Sequence, residues 1–309
     1  MRNKPLDELA PSRGGLWKQI RRKKTCYLFL LPFFSLFLLF TVVPVVMAIG
    51  LSFTFYNVLE APQFIGIQNY IQMFFYDELF IKALSNTLTM ALFIGPLGYL
   101  IALLVAWMIN ELSPALRTVL VVLFYAPSIS GNAYLIWTLL FSGDAYGYLN
   151  AWGMKLGLLT GPIQWLTDTD YMMGCVILVS LWMSLGTGFL SFVAGLQGID
   201  RSLYESAAID GVRDRWQELW YVTLPSMKPQ LLFGAVMSIT AAFSVGDVCR
   251  NLCGDPSTDY AVHTLVNHMQ DYGGARYEMG YACAISTFLF LLMVGCNQII
   301  NRLLRKVGE

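Results

Sequence analysis

Charge is what this sequence has little of: Asp, Glu, Lys and Arg make up 13% of its 309 residues, against about 25% in ordinary globular domains. So few charges cannot cover a normal water-facing surface, which excludes a chain folded wholly in water. The net charge is zero, so there is neither a basic excess suited to nucleic acid nor an acidic tail. Histidine occurs only at His263 and His268. The six cysteines show no C-x-x-C spacing and fall mostly in apolar runs, where they read as small hydrophobes. Cys249 and Cys253 lie one helical turn apart with both histidines nearby, but soft-metal sites show tighter ligand spacing, and no metal is expected. No lysine follows a glycine, so the G-x-x-x-x-G-K-[ST] loop that cradles phosphates is missing. H-E-x-x-H and G-x-S-x-G are missing as well. The chain is therefore expected not to be an enzyme, and to carry no cofactor of its own.

What fills the sequence is hydrophobic residues, 56% of the total. A bilayer core about 30 Å thick needs ~20 apolar residues per helix. Six uncharged stretches approach or exceed that length: residues 27–53, 83–109, 118–141, 171–198, a shorter one at 229–246, and 279–301. None alternates apolar with polar residues as a membrane barrel strand would. The predicted fold is therefore all-α, a polytopic membrane protein of six transmembrane helices. Pro32, Pro44, Pro96 and Pro127 fall inside spans and predict kinks. The first run follows Arg21, Arg22, Lys23 and Lys24 but exceeds the 7 to 15 apolar residues of a signal peptide, so it is expected to stay as an anchor.

Orientation follows from the basic residues. With the N-terminus inside, the inner segments hold eight Lys/Arg before the first span, then Arg117, then Arg201, Arg213, Arg215 and Lys228, and finally Arg302, Arg305 and Lys306. The outer segments hold Lys82, Lys155, Arg250 and Arg276. Both termini are thus expected on the cytoplasmic side of a bacterial-type cytoplasmic membrane. Residues 1–26 form a cytoplasmic tail and 27–309 one membrane domain.

The loop at 199–229 carries more helix signals than a connection needs. Ser202 with Glu205 reads as a capping box, Gly211 as a stop, and a second helical run over 213–222 as ending at Leu224-Pro225. Its apolar residues, Trp216 and Trp220 among them, exceed what the loop could bury alone, which implies a protein partner.

At these residues the chain resembles the binding-protein-dependent ABC importer permeases, in the carbohydrate-uptake branch related to the maltose permease subunits. The family's mark is a loop reading Glu-Ala-Ala, two variable positions, Asp-Gly-Ala, then Leu-Pro about a dozen residues on. Here the run is Glu205-Ser206-Ala207-Ala208-Ile209-Asp210-Gly211-Val212, with Leu224-Pro225 following. Ser206 and Val212 stand where alanine is usual. Weaker matches extend over nearly the whole chain after residue 20, including Gly66, Asn86-Thr87, Pro127 and Gly280.

The resemblance implies a type I ABC importer permease (MetI-like) fold. It implies that Glu205, Ser206, Ala207, Ala208, Asp210, Gly211, Leu224 and Pro225 dock on an ATPase subunit, which would use ATP and Mg itself. A second, related permease, two ATPase subunits, an extracytoplasmic solute-binding protein and a sugar substrate are the implied partners, with membrane lipid and without nucleic acid. Asn132, Trp137, Trp182 and Asp247 are the expected substrate-path residues, because polar groups in spans are costly and aromatic faces can stack on sugars. Tyr260 to Tyr272 reads as an outer amphipathic helix with both histidines on its polar face. The alternative reading is a secondary transporter or channel driven by an ion gradient, against which the scarcity of charges in the spans counts.

Overall fold

A computed structural model describes residues 24–305. The basic tail at 1–23 and Lys306, on which the expected orientation partly rests, lie outside the described residues. The chain divides into two units at Gly50. The first unit is an apolar helix with Phe29, Phe33, Phe40 and Val46 exposed around it, a surface suited to lipid on all sides. Within it, Lys24–Phe37 passes through a π turn at Leu38–Val42 into Val43–Leu51. Pro44 has no N–H for the carbonyl one turn back, and the ladder accommodates this by widening, so that the Val43 N–H bonds to the Leu38 carbonyl.

The second unit begins with a two-residue hairpin, Thr54 opposite Phe64 and Phe55 opposite Gln63. Buried Asn69, on the helix Gln68–Phe75, fastens it by donating to the carbonyls of Ser52 and Thr54. Asp77 caps the next helix, Glu78–Asn110, accepting the Phe80 N–H at 2.9 Å. At 33 residues this second span is roughly 50 Å long, and the other elements pack along it in three clusters. Phe80 and Ala83 meet Leu265, Tyr281 and Ile285 near its start. Met90 and Ile94 meet Met172, Val176 and Cys249 in the middle. Ala102, Ala106 and Ile109 meet Phe189, Phe192 and Met227 near its end.

Lipid tails are as apolar as leucine, so burial alone does not drive spans together; close approach of small residues does. Gly98 faces the Ser184 side chain so tightly that a Cβ would sit 3.0 Å from the serine Cβ, and at Gly188 a Cβ would lie 3.5 Å from the Gly234 Cα.

Four helices are long and apolar enough to cross a membrane: Thr25–Leu51, Glu78–Asn110, Thr169–Gln197 and Met279–Leu303. A bent pair, Lys228–Phe243 and Gly246–Cys253, forms a fifth, and the shorter Pro114–Ile129 stands where the third span was expected. The six elements appear in the predicted order, with three corrections to their shape. The third stops at Ile129 because Pro127 removes a donor and Ser130 turns extended, and it resumes at Leu135–Leu140. The fourth breaks between Met183 and Thr187, where the Ser184 hydroxyl bonds to the Leu181 carbonyl and the Gly186 N–H to the Ser184 carbonyl. The fifth bends by 41° and runs on to Cys253 rather than ending at Gly246. Gly246 permits this by packing on Val266 and Asn267, where a Cβ would clash.

Candidate functional site

The 199–229 loop lies at the Asn110 end of the second span, held there by Trp107 against Trp216, ring centroids 5.2 Å apart. Arg215 also bridges Glu111 and Glu218 at 2.8 Å each, pairs whose exposure leaves them worth little individually. The first loop helix is Arg201–Ile209. Its cap is Asp200, not the Ser202–Glu205 box read from the sequence. Asp200 is the last extended residue, and its carboxylate accepts the Ser202 N–H at 3.0 Å. That bond holds the Asp200 carboxyl below its ordinary value. Glu205 lies in the second turn, exposed, too far along to cap the start.

Gly211 ends this helix as expected, with φ at +98°. The Val212 N–H reaches the Ala207 carbonyl and the Gly211 N–H reaches that of Ala208, the paired bonds of a Schellman stop. The second loop helix departs from expectation. It runs from Arg215 through a π turn at Leu219–Thr223 into Leu224–Ser226, so Leu224-Pro225 lies inside the helix rather than at its end. The widened turn before Pro225 repeats the arrangement before Pro44, since a proline missing its N–H is tolerated where the Leu224 N–H reaches back to Leu219. Tyr204 and Thr223 join the two loop helices through their hydroxyls at 3.0 Å.

Of the residues expected to dock, Glu205, Ser206, Ala208, Asp210, Gly211 and Pro225 are exposed, while Ala207 and Leu224 are half-buried. Around them Ile209 is 88% exposed, Tyr221 74% and Trp220 61%, leaving apolar surface uncovered in this chain. Leu219 and Val222, by contrast, are buried in the bundle.

Of the path candidates, the structure brings together Trp137 and Trp182, edge to face at 5.6 Å, with Trp137 also stacked on Phe141. The Trp137 indole N–H is buried and has no partner among the described residues. Asn132, in the turn after the third span, and Asp247, in the first turn of Gly246–Cys253, are both exposed and are not part of that pair. Sequence reasoning missed a cavity of about 260 Å³ beside the breaks in the third and fourth spans. Tyr125, Ser128, Ser184, Thr187 and Ser238 line it. Ser128 and Ser184 spend their protons on the carbonyls of Tyr125 and Leu181, leaving lone pairs as acceptors. The legible signal was hydroxyl residues inside apolar runs beside Pro127 and Gly186.

At the Asp77 end lies a second polar centre that the sequence did not predict. Asp77 Oδ2 accepts from His268 Nε2 at 2.9 Å, Tyr281 at 2.7 Å and Tyr272 at 3.3 Å. Burial opposes the Asp77 charge, but the bonds from His268, Tyr281 and the Phe80 amide outweigh it and hold the carboxyl well below the usual carboxylate range. His268 Nδ1 faces His263 Nε2 at 3.2 Å. Both histidines are buried, contrary to their predicted place on a polar face.

The expected helix over residues 260–272 is also broken. Asn86 donates to the carbonyls of Tyr260 and His263, and Thr87 accepts the Leu265 N–H. These bonds draw the segment against the second span and leave a regular helix only over Leu265–Gln270. Burial, then the neighbouring His268, pushes the His263 imidazole down to about 4.

Residues 94–307 match the family described as binding-protein-dependent transport system inner membrane component. The chain is 32% identical over 280 residues to the probable ABC transporter permease protein YesP of Bacillus subtilis (strain 168), covering 89% of this chain and 88% of that one. It is 28% identical over 295 residues to the arabinooligosaccharides transport system permease protein AraP of the same strain, covering 94% and 91%. Among solved structures it resembles a bacterial alginate ABC transporter in complex with its alginate pentasaccharide-bound periplasmic protein. That match has a TM-score of 0.74 at 26% identity and covers 96% of this chain and 100% of that one.

Proposed function

The chain belongs to the binding-protein-dependent transport system inner membrane components, and from that premise we propose that it is a permease subunit of an ATP-driven importer of a sugar or oligosaccharide. The names of its relatives support the substrate class: one serves arabinooligosaccharides and another structure carries alginate. The chain does no covalent chemistry. ATP and Mg belong to two separate ATPase subunits, a second permease completes the pore, and a solute-binding protein delivers the sugar outside.

The observation that carries the reading is the 199–229 loop. It presents a helix with a glycine stop, exposed Glu205 and Asp210, and uncovered Ile209, Trp220 and Tyr221. On this reading the loop is cytoplasmic, as its basic residues favour, and an ATPase subunit covers the apolar face. Glu205, Ser206, Ala207, Ala208, Asp210 and Gly211 make the docking contacts, and Leu224 and Pro225 set the second helix. Closure of the ATPase pair shifts the loop, and the bundle rocks between inward-open and outward-open states.

The path for sugar runs past the hydroxyl-lined cavity at the breaks of the third and fourth spans, where irregular backbone is tolerated because it lines a cavity. Trp137 and Trp182 offer stacking faces nearby in the same spans. An ion-gradient mechanism would need relay charges, and no charged side chain lines that cavity.

Glu205→Arg and Gly211→Val in the assembled importer, reconstituted in vesicles, test the reading. Both should abolish ATP-dependent uptake and co-purification of the ATPase while membrane insertion stays normal. Undiminished uptake by both variants would sink the docking role.

A further inference from the structure

Beside the Asp77 centre lies the largest of the cavities described, about 820 Å³. Its walls come from the outer half of the bent fifth span (Arg250), the segment after it (Asp255, Tyr260), the π turn Asp271–Ala275, and the first turns of the sixth span from Met279 to Ser286. From Met279 to Ser286 the lining carries the pocket roughly 10 Å along the span. Its charged lining residues, Arg250, Asp255, Asp271 and Arg276, would be costly against lipid, so on the importer reading the pocket faces water.

Four charged residues line the pocket, and they cancel in pairs. Arg250 binds Asp255 at 2.8 Å and also donates to Gln270, while Arg276 binds Asp271 at 2.7 Å and lies over the Tyr272 ring at 4.3 Å. Each guanidinium thus already faces a carboxylate, which offsets its charge within the pocket wall. An acidic ligand would compete with a carboxylate for either arginine.

The pairs nonetheless keep unused lone pairs and N–H groups. Planar groups of this kind can exchange donors and acceptors with a ligand bearing many hydroxyls. Tyr260 adds an aromatic face. His263, also among the lining residues, is 4% exposed, and its Nδ1 has no partner among the described residues. Asp77 can only accept, so His268 carries its proton on Nε2. His268 Nδ1 and His263 Nε2 occupy each other, in a direction set by the tautomer, so His263 Nδ1 is left as a buried ring nitrogen open to a ligand.

We propose that this pocket is a binding subsite for an uncharged saccharide unit, selecting neutral sugars over acidic ones at the outer mouth of the permease. The proposal rests on the importer reading and deepens it by naming the charge class of the substrate. It sets this chain apart from the alginate transporter it resembles, whose cargo is an acidic polysaccharide.

The test uses the assembled importer in nanodiscs without its solute-binding protein, and saturation-transfer NMR with two probes, neutral arabinotriose and anionic trigalacturonate. Wild type should give signal from arabinotriose alone, weakened about five-fold in Tyr260→Ala and in Gln270→Ala, the scale of one lost hydrogen bond or stacking contact. Asp255→Asn with Asp271→Asn, which frees both arginines, should bring trigalacturonate signal in.

Trigalacturonate binding to wild type as strongly as arabinotriose, or no signal from either probe, overturns the proposal whether or not the variants fold. Arabinotriose signal unchanged in both single variants overturns it too. ATP hydrolysis stimulated by the solute-binding protein is measured on the same particles. Its absence in wild type counts against the importer reading, whereas its presence without pocket binding counts against the subsite alone.

Discussion

Asp77 and His268, 191 residues apart in sequence, meet at 2.9 Å and tie the start of the second span to the segment that precedes the sixth. Tyr281 adds the sixth span itself to the same carboxylate oxygen. Three elements distant in sequence are thereby fixed by one side chain.

Asp77→Ala removes the acceptor from four donors at once, His268, Tyr272, Tyr281 and the Phe80 N–H. It should destabilise the purified protein by about 3 kcal/mol and raise hydrogen exchange in the 262–272 segment. The loop at 199–229, at the other end of the second span, should keep its exchange pattern. Thermal unfolding in detergent together with exchange mass spectrometry checks both parts.

The buried His263 imidazole predicts a pH dependence with a definite sign. Its value is pushed down from 6.5 to about 4 by burial and by His268, with Asp255, Asp271 and Asp77 partly offsetting this. Between those two values the unfolded segment takes up a proton that the folded one refuses, so stability is full above about 6.5 and declines as pH falls toward 4. The Asp77 contribution, from a carboxyl held below its ordinary value, is lost only at lower pH. Thermal midpoints measured from pH 7 to 4 should fall, and His263→Gln should flatten that slope.

Much of this architecture was legible because bilayer thickness imposes a length on apolar runs. Six runs gave six elements, and Gly211 announced its own stop through the backbone conformation it alone adopts cheaply. The breaks in the third and fourth spans were not legible, because hydropathy does not sense backbone direction at Ser130 or Gly186. The Asp77 centre was hidden for a different reason. His263 and His268 look polar in a window of neighbours, and only the return of the chain against Asn86 and Thr87 buries them. The cap of the first loop helix was misread by two residues, since Asp200 and Ser202 both suit that role and only the extended backbone at Asp200 decides between them.

Gly280→Ala should be among the most damaging single-methyl changes in the chain. A Cβ there would lie 2.1 Å from the Thr54 carbonyl oxygen, a backbone atom, while the Gly280 N–H bonds to the Tyr56 carbonyl. A loss of about 2 kcal/mol or more follows from overpacking at a fixed contact. Gly174→Ala, with nothing within 4 Å, is the matched control and should leave the thermal midpoint within error.

Asn150 should prove essential to the segment between the third and fourth spans. It is fully buried and bonds to the carbonyls of Ser142, Asp144 and Ile163, the Ile163 N–H and the Trp165 indole. Asn150→Ala leaves those groups short of partners, at a cost of about 3 kcal/mol. Limited proteolysis should then cut within residues 142–165 at protease levels the wild type resists.

The π turn ahead of Pro225 has a mechanical consequence. Because the proline does not terminate the second loop helix, only Met227 separates Ser226 from the start of the fifth span at Lys228. That helix and the span are joined with no loop between them. On the proposed coupling, a push at Trp216 would pass into the fifth span rather than into a slack connector, and that span, past its 41° bend, carries Arg250 into the wall of the far pocket.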